Sequence, residues 1–490
     1  MGNVIREYLI DQKYNTASDD TYSQIDNWLE WYQSDVKKFH TYKVWNGTSV
    51  ISQKRYRLGM AKKVCEDWAN LLLNEKVVIK AGRFSKKLQG ILQRNNFLTR
   101  ANQLIEIAFA LGTGAFVEYK DENDNVVIDY IRADMIYPLS WDNGDIIECA
   151  FGTTRVVEGK EVIYLQIHRF GREEDDENPE NYYIENKYID AEKGKELNAP
   201  EDVEILVNTG TSIPLFQIIT PNIFNNIDLD SPLGISVYAN AVYQLQGCDL
   251  VYDSYMNEFV LGRKRILVPM SAAKIQMSKE GQKQPVFDPN DTVYFQMESD
   301  RQSDMKLTEV DMSIRANEHE LGIQRTLDIL SFMCGLGAGR YKFETGGVKT
   351  ATEVISDKSD LYQNRQKNAI IVNAAIINMV AAVSFLASGK AVTATVDCDD
   401  SIIEDTNTII DKNIKLVNGG LRSKLMAIME INKCTEAEAK EELKRIAEDN
   451  KITGQDIDWT DMDNEESDDE EKDDVDDESS EEPAGSGSDR

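Results

Sequence analysis

The residues best suited to chemistry lie between Gly335 and Thr350: Gly335-Leu336-Gly337-Ala338-Gly339, then Arg340, Lys342, Gly346, Gly347 and Lys349. Gly-rich backbone beside cations is how proteins cradle phosphate, so nucleotide binding is the first chemistry to weigh. The dinucleotide fingerprint needs GxGxxG between a strand and a helix. Here the third spacing is wrong, and the preceding Ile314 to Met333 has helical periodicity. Gly346-Gly347-Val348-Lys349-Thr350 resembles the end of a P-loop, but Val348 parts glycine from lysine and no glycine holds the proper upstream place. Glycine has weak local preferences, which predicts a mobile, mildly basic loop able to touch phosphates weakly and repeatedly. The plainer alternative is that three cations only keep an exposed loop soluble.

No other catalytic set emerges. His40, His168 and His319 stand apart, which leaves no Ser-His-Asp or Cys-His arrangement, and Glu318-His319-Glu320 reads as a polar helix face. Cys65, Cys149, Cys248, Cys334, Cys398 and Cys434 are scattered without a CxxC pair. A zinc site or disulfide framework is therefore not expected, nor any cofactor, and the thiols should be reduced in a chain that folds in the cytoplasm. The sequence offers no motif for an ATPase or nuclease, and we expect no enzyme.

The net charge of −32 is uneven. Asp461 to Glu482 carries fifteen acids against Lys472, leaving −18 on the rest. So acidic a chain disfavours tight nonspecific DNA binding driven by counterion release. The N-terminal Met1 to Tyr14 mixes charged and apolar residues and reads as no signal peptide. Ala369 to Ala387 has no charge, yet Asn373, Asn378, Ser384 and its alanines suit a helix buried in an assembly better than a bilayer span.

These features need elements to position them. Residues 1–50 carry Trp28, Trp31, Tyr32, Phe39, Tyr42 and Trp45 and predict a helix and an extended arm that pack on something else. From Arg55 to Asn74, Met60, Val64, Trp68, Leu71 and Leu72 recur at three- and four-residue steps and mark an amphipathic helix. Val77 to Ile79 predicts a strand, followed by helices over 85–96 and 99–111 that Gly112 and Gly114 stop. From Ala115 to about Leu206 the period is two. A hairpin pairs 116–119 with 126–130, with further strands at 146–151, 154–157, 162–169, 182–188 and 203–207. A long helix over 237–261 ends at Arg263-Lys264-Arg265, where positive charge suits the helix dipole. A compact insertion follows to about 312, and a second helix to Met333 makes an antiparallel hairpin with a cap. Beyond the basic loop come a long helix over 350–387, a strand at 392–396 and helices at 402–417, 421–432 and 435–450, the last with a capping box from Thr435 to Glu438. From Asp461 the composition predicts disorder.

This α+β order resembles the portal proteins of tailed bacteriophages, in particular the Gram-positive siphophage type. The resemblance rests on Leu111-Gly112-Thr113-Gly114-Ala115-Phe116-Val117 with Ile136-Tyr137-Pro138-Leu139, on Ser231-Pro232-Leu233-Gly234-Ile235-Ser236, and on Lys349-Thr350-Ala351-Thr352-Glu353-Val354. It covers about residues 50 to 450. It implies an N-terminal arm (1–50), a β-rich wing (51–234), stem helices (235–262 and 313–334), a small α/β clip (263–312) and a tunnel loop (335–349). A long wing helix and strand (350–399), a helical crown (400–455) and an acidic tail (456–490) complete the subunit. It further implies a ring of about twelve subunits at one capsid vertex of the virion. The ring would assemble in the host cytoplasm, pass double-stranded DNA in packaging and ejection, and contact major capsid or scaffolding protein. The DNA-facing residues would be Gly337, Gly339, Arg340, Lys342 and Lys349. Arg263, Lys264, Arg265, Lys274, Asp288 and Asp291 would meet terminase and then the head-tail adaptor. The competing expectation is a membrane-associated or scaffold-like oligomer anchored by helix 369–387.

Overall fold

The computed structural model describes residues 2–45, 48–74, 76–157, 159–172, 178–200, 203–262, 313–342, 351–397, 406–432 and 434–453, together with five strands between 265 and 310. The chain divides into two units, Met1–Asp399 and Asp400–Arg490.

The first unit opens with α1 (Gly2–Asp11), α2 (Asp19–Tyr32) and the short α3 (Lys37–His40), followed by a hairpin of β1 (Thr41–Trp45) and β2 (Val50–Lys54). The hydroxyl of Ser18 caps α2 by accepting from the Thr21 amide at 3.3 Å. Of the aromatics expected to pack elsewhere, Trp28 and Trp31 are buried in their own chain, whereas Trp45 is exposed. Tyr22 Oη donates to the Ile136 carbonyl at 2.8 Å, and Tyr238 Oη to that of Trp28 at 2.8 Å. The first forty residues are thus part of the core.

α4 (Met60–Leu72) buries the stripe Val64, Trp68, Leu71 and Leu72. After β3 (Val78–Lys80) come α5 (Ser85–Arg94) and α6 (Phe97–Leu111), which ends at Gly112 with φ +87°. Next are β4 (Gly114–Lys120) and β5 (Val126–Arg132), the expected hairpin, with Phe116 opposite Tyr130. β6 (Ile136–Asp142), β7 (Asp145–Val157), β8 (Lys160–Phe170), β9 (Tyr182–Asp190), β10 (Glu196–Leu197) and β11 (Leu206–Asn208) form an antiparallel sheet. β12 (Phe216–Ile219) joins β4. The two strands expected at 146–151 and 154–157 are one, because β7 pairs without interruption along β8 from Cys149 to Val157.

α7 (Val242–Leu261) starts five residues later than its periodicity predicts. Before it the chain is held against α6, with the Val237 amide donating to the Phe109 carbonyl at 2.9 Å and Ser236 Oγ to the same carbonyl at 3.3 Å, and a short 3-10 turn over Ala239–Ala241 leads into the helix. Strands β13 (Arg265–Pro269), β14 (Ile275–Met277), β15 (Lys283–Pro285), β16 (Tyr294–Met297) and β17 (Thr308–Val310) follow. β13 pairs parallel with β16 and antiparallel with β17. The described residues of this expected α/β insertion are all strand. α8 (Ala316–Met333) returns along α7. Arg315 grips Glu258 with two hydrogen bonds of 2.9 Å, which together hold that carboxyl down at about 2.

α9 (Ala351–Ser388) runs 38 residues, roughly 57 Å. Its segment Ser359–Ser388 is long and apolar enough to cross a membrane. Yet Val372, Ala375, Ile376, Met379, Val380 and Val383 are buried in the chain's own core, packed towards β4 and β12. β18 (Thr395–Asp397) then pairs with β3. The second unit holds α10 (Thr406–Asn418), α11 (Lys424–Ile431) and α12 (Glu436–Thr453). The capping box at the start of α12 is formed, with the Thr435 amide donating to Glu438 Oε2 at 2.8 Å.

Among the described residues of the first unit, the carboxyl of Glu118 on β4 and the ring of His168 on β8 are buried without a hydrogen-bond partner, the latter ringed by Phe151, Tyr182 and Phe216. Burial lifts the Glu118 carboxyl well above its ordinary range and depresses His168 to about 3. The signs are opposite. Glu118 is protonated when folded and ionises when unfolded, so stability falls as pH rises above about 4.3, by at most about 1.4 kcal/mol per pH unit. His168 withholds stability as pH falls from about 6.5 towards 3. Glu118→Gln should therefore melt above wild type by a margin that widens from pH 5 to pH 8. A constant margin across a thermal series at stepped pH would show the carboxyl to be ionised in the fold.

Candidate nucleic-acid interface

The basic Gly-rich segment begins where α8 ends. The Gly335 amide donates to the Phe332 carbonyl at 3.0 Å and the Leu336 amide to that of Ser331 at 2.9 Å, with Gly335 at φ +77°. This paired closure needs a left-handed residue, which glycine supplies without strain, and Leu336 is buried behind it. Gly337 and Gly339 repeat the positive φ, at +78° and +77°.

The neighbours then fix what was expected to move. Trp68 Nε1 donates to the Cys334 carbonyl at 3.0 Å, and Asn364 Nδ2 to that of Gly335 at 3.0 Å. Gln324 Nε2 donates to the Tyr341 carbonyl at 2.8 Å. Burial first, then the Asp67 carboxylate, push the Tyr341 phenol up. The expectation of a mobile loop is therefore corrected over 335–342. The glycines there serve a packed turn, and Gly337 is buried.

Among the named cations, Arg340 leans on Asp67, with Nε 3.7 Å from Oδ2. Asp67 is itself nearly buried and also meets Lys63 at 2.9 Å. Lys342 is exposed, and Gly339 lies under its side chain: a Cβ there would come 2.6 Å from Lys342 Cε. Lys349 lies outside the described residues, as do Arg263, Lys264, Lys274, Asp288 and Asp291. Arg265 opens β13, paired with Val310. The structure thus gathers Gly337, Gly339, Arg340 and Lys342 into one turn beside α4. Sequence reasoning missed the residues that hold this turn. Trp68 was legible only as core, and nothing in the sequence links Asp67 to Arg340.

Glu318-His319-Glu320 is a helix face as expected, with His319 Nε2 3.7 Å from Glu258. Among the described residues, no three His, Cys, Asp or Glu side chains converge as metal ligands.

Two of the motifs behind the resemblance, at 111–117 and 231–236, meet in space. Gly112 and Gly234 cross backbone against backbone, and the Gly234 amide donates to Thr113 Oγ1 at 3.1 Å. That crossing joins the β-rich body to the α7–α8 hairpin with its strand insertion. The sequence profile described as "Phage portal protein, SPP1 Gp6-like" matches residues 11–455, and the chain belongs to that family. Comparison with curated protein sequences found no match. One similar solved chain comes from the "Neck of native GTA particle computed with C12 symmetry". It is 12% identical over 76% of this chain and 88% of that one, with a TM-score of 0.35, too low to carry geometry across.

Proposed function

We propose that copies of this chain form a ring at one vertex of the phage head, through which double-stranded DNA enters in packaging and leaves in ejection. The observation that carries this reading, beside family membership, is the α7–α8 hairpin. Tyr243 and Leu250 on α7 are 82% and 50% exposed, and Leu321 and Phe332 on α8 are 60% and 62% exposed. Apolar residues bared on both helices suit a head-to-tail interface repeated around an axis, in which each copy covers one flank of the next. The hairpin is the stem. The strand insertion at its end is the clip that meets terminase and later the adaptor, through Arg263, Lys264, Arg265, Lys274, Asp288 and Asp291.

Acidic walls repel phosphate, while a few cations per copy steady the duplex at small cost for each contact. Lys342 and Lys349 meet DNA directly, and Arg340 together with Gly337 and Gly339 sets the base from which the loop leaves. The ring assembles in the host cytoplasm against capsid or scaffolding protein. The membrane alternative would have to withdraw α9 from the core, where half of its apolar window is buried.

Arg340→Ala with Lys342→Ala should leave ring size unchanged and lower the DNA packaged or retained per head. Wild-type packaging by intact variant rings would contradict the loop's role.

A further inference from the structure

The hairpin β1–β2 stands apart from every other sheet, and its charge is at odds with the chain that carries it. Between Asp35 and Glu66 there is no acidic residue, in a chain of net charge −32. Arg55, Arg57, Lys62 and Lys63 are already engaged. Arg55 lies over the rings of Phe39 and Tyr42 at 4.6 Å, and Arg57 pairs with Asp35 at 2.7 Å. Lys62 pairs with Glu106 and Lys63 with Asp67. Lys37, Lys38, Lys43 and Lys54 are exposed, with no ion pair among the described residues.

The base of the hairpin is rigid. His40 Nδ1 accepts from the Val36 amide at 3.0 Å, so its proton sits on Nε2, 2.9 Å from Asp249 Oδ2 on α7. Asp249 Oδ1 also accepts from the Leu58 amide at 2.7 Å, and Asp253 from that of Tyr56 at 2.8 Å. Trp45 and Val50 face each other across the two strands, 62% and 61% exposed. Thr41, Lys43, Ser52 and Lys54 share their face by the two-residue alternation. A lone two-stranded hairpin is marginal in water, and a bared Trp–Val pair with lysines beside it is half of an interface.

We infer that this face docks on the stem of the neighbouring copy, at the α8 surface around Glu318, Glu320 and Leu321; the inference rests on the ring reading above. Two observations select that occupant. Rotation about a ring axis moves no copy along it, so complementary patches must lie at one height on the stem. The hairpin is anchored at Asp249 and Asp253, and α8 passes that height at Gly322, which lies against Val251. There Leu321 is 60% exposed beside the exposed Glu318 and Glu320, and Arg325, one turn on, is turned to Asp328 at 3.9 Å. Trp45 and Leu321 are both bare in the single chain, so neither covers the other. A duplex groove would reward cations at the hairpin's end, not an apolar pair.

The test uses the full chain and reads assembly by mass against subunit concentration. Lys43→Glu with Lys54→Glu touches only exposed side chains, so folding should survive. It should raise the concentration for half-assembly by roughly fivefold, and adding Glu318→Lys with Glu320→Lys should restore it. Trp45→Cys with Leu321→Cys should give disulfide-linked dimers and higher oligomers on oxidation, which neither single variant gives. Reversed hairpins that assemble like wild type, with no cross-link, overturn this inference alone. So does a hairpin variant that assembles normally but loses binding to a DNA duplex or to purified shell protein. A wild-type chain that stays monomeric at every concentration overturns both readings.

Discussion

Replacing Gly112 by alanine is expected to abolish soluble, folded protein, whereas the same change at Gly144 should cost only about 1 kcal/mol. The two glycines share a backbone conformation, φ +87° and +88°. They differ in surroundings. A Cβ on Gly112 would sit 2.8 Å from the carbonyl carbons of Gly234 and Ile235 and closer still to the Gly234 oxygen. Nothing lies within 4 Å of one on Gly144. Backbone cannot rotate away as a side-chain end can, so the clash must part α6 and β4 from the segment that leads into α7. That movement would also break the hydrogen bonds from Gly234 to Thr113 and from Val237 to Phe109. Gly234→Ala should fail in the same way, and the double variant should be little worse than either, since both remove one contact. Yield and thermal melting of the four variants check this. A folded Gly112→Ala protein within a few degrees of Gly144→Ala would show the crossing to be looser than described.

Asp249→Ala is the second large effect. The carboxylate is 5% exposed and serves the ring of His40, itself fully buried, together with the Leu58 amide. Alanine would leave a buried imidazole N–H and a part-buried backbone N–H without acceptors, at a cost of about 3–5 kcal/mol, and a melting temperature lower by roughly 5 °C. Asp249→Asn keeps one acceptor oxygen and should fall between alanine and wild type. Because Asp249 joins α7 to the hairpin base, protease cleavage between Lys54 and Arg57 should rise in the alanine variant before the rest of the chain is cut. Equal melting of the alanine and wild-type proteins would refute the anchor.

Much of the fold was legible because its signals are short-range. The three- and four-residue steps among Met60, Val64, Trp68, Leu71 and Leu72 mark α4, and alternation across a turn marks the β4–β5 hairpin. The capping box at Thr435 gave the start of α12. What failed depended on distant partners. Glycine reads alike whether a chain needs freedom or a positive φ, so the run from Gly335 to Gly339 looked mobile. Only Trp68 and Asn364, far off in the sequence, show it to be a packed turn. The segment before α7 is tied to the Phe109 carbonyl on α6, a contact that periodicity cannot show. The β1–β2 hairpin does carry a signal, Asn46-Gly47 between two β-prone runs, which the expectation of an extended arm leaves unused. Of the candidate site, the position of the cations was legible and their partners were not, because Asp67 is one acid among many until the fold sets it beside Arg340.

The most direct test is to image the purified wild-type chain, prepared without detergent, by electron microscopy. The account predicts closed rings of about twelve copies around an open hole, with the turn at Gly335 to Lys342 on the inner wall and the β1–β2 hairpin against the next stem. Single subunits without a hole, or rings that carry this turn on their outer surface, would contradict it.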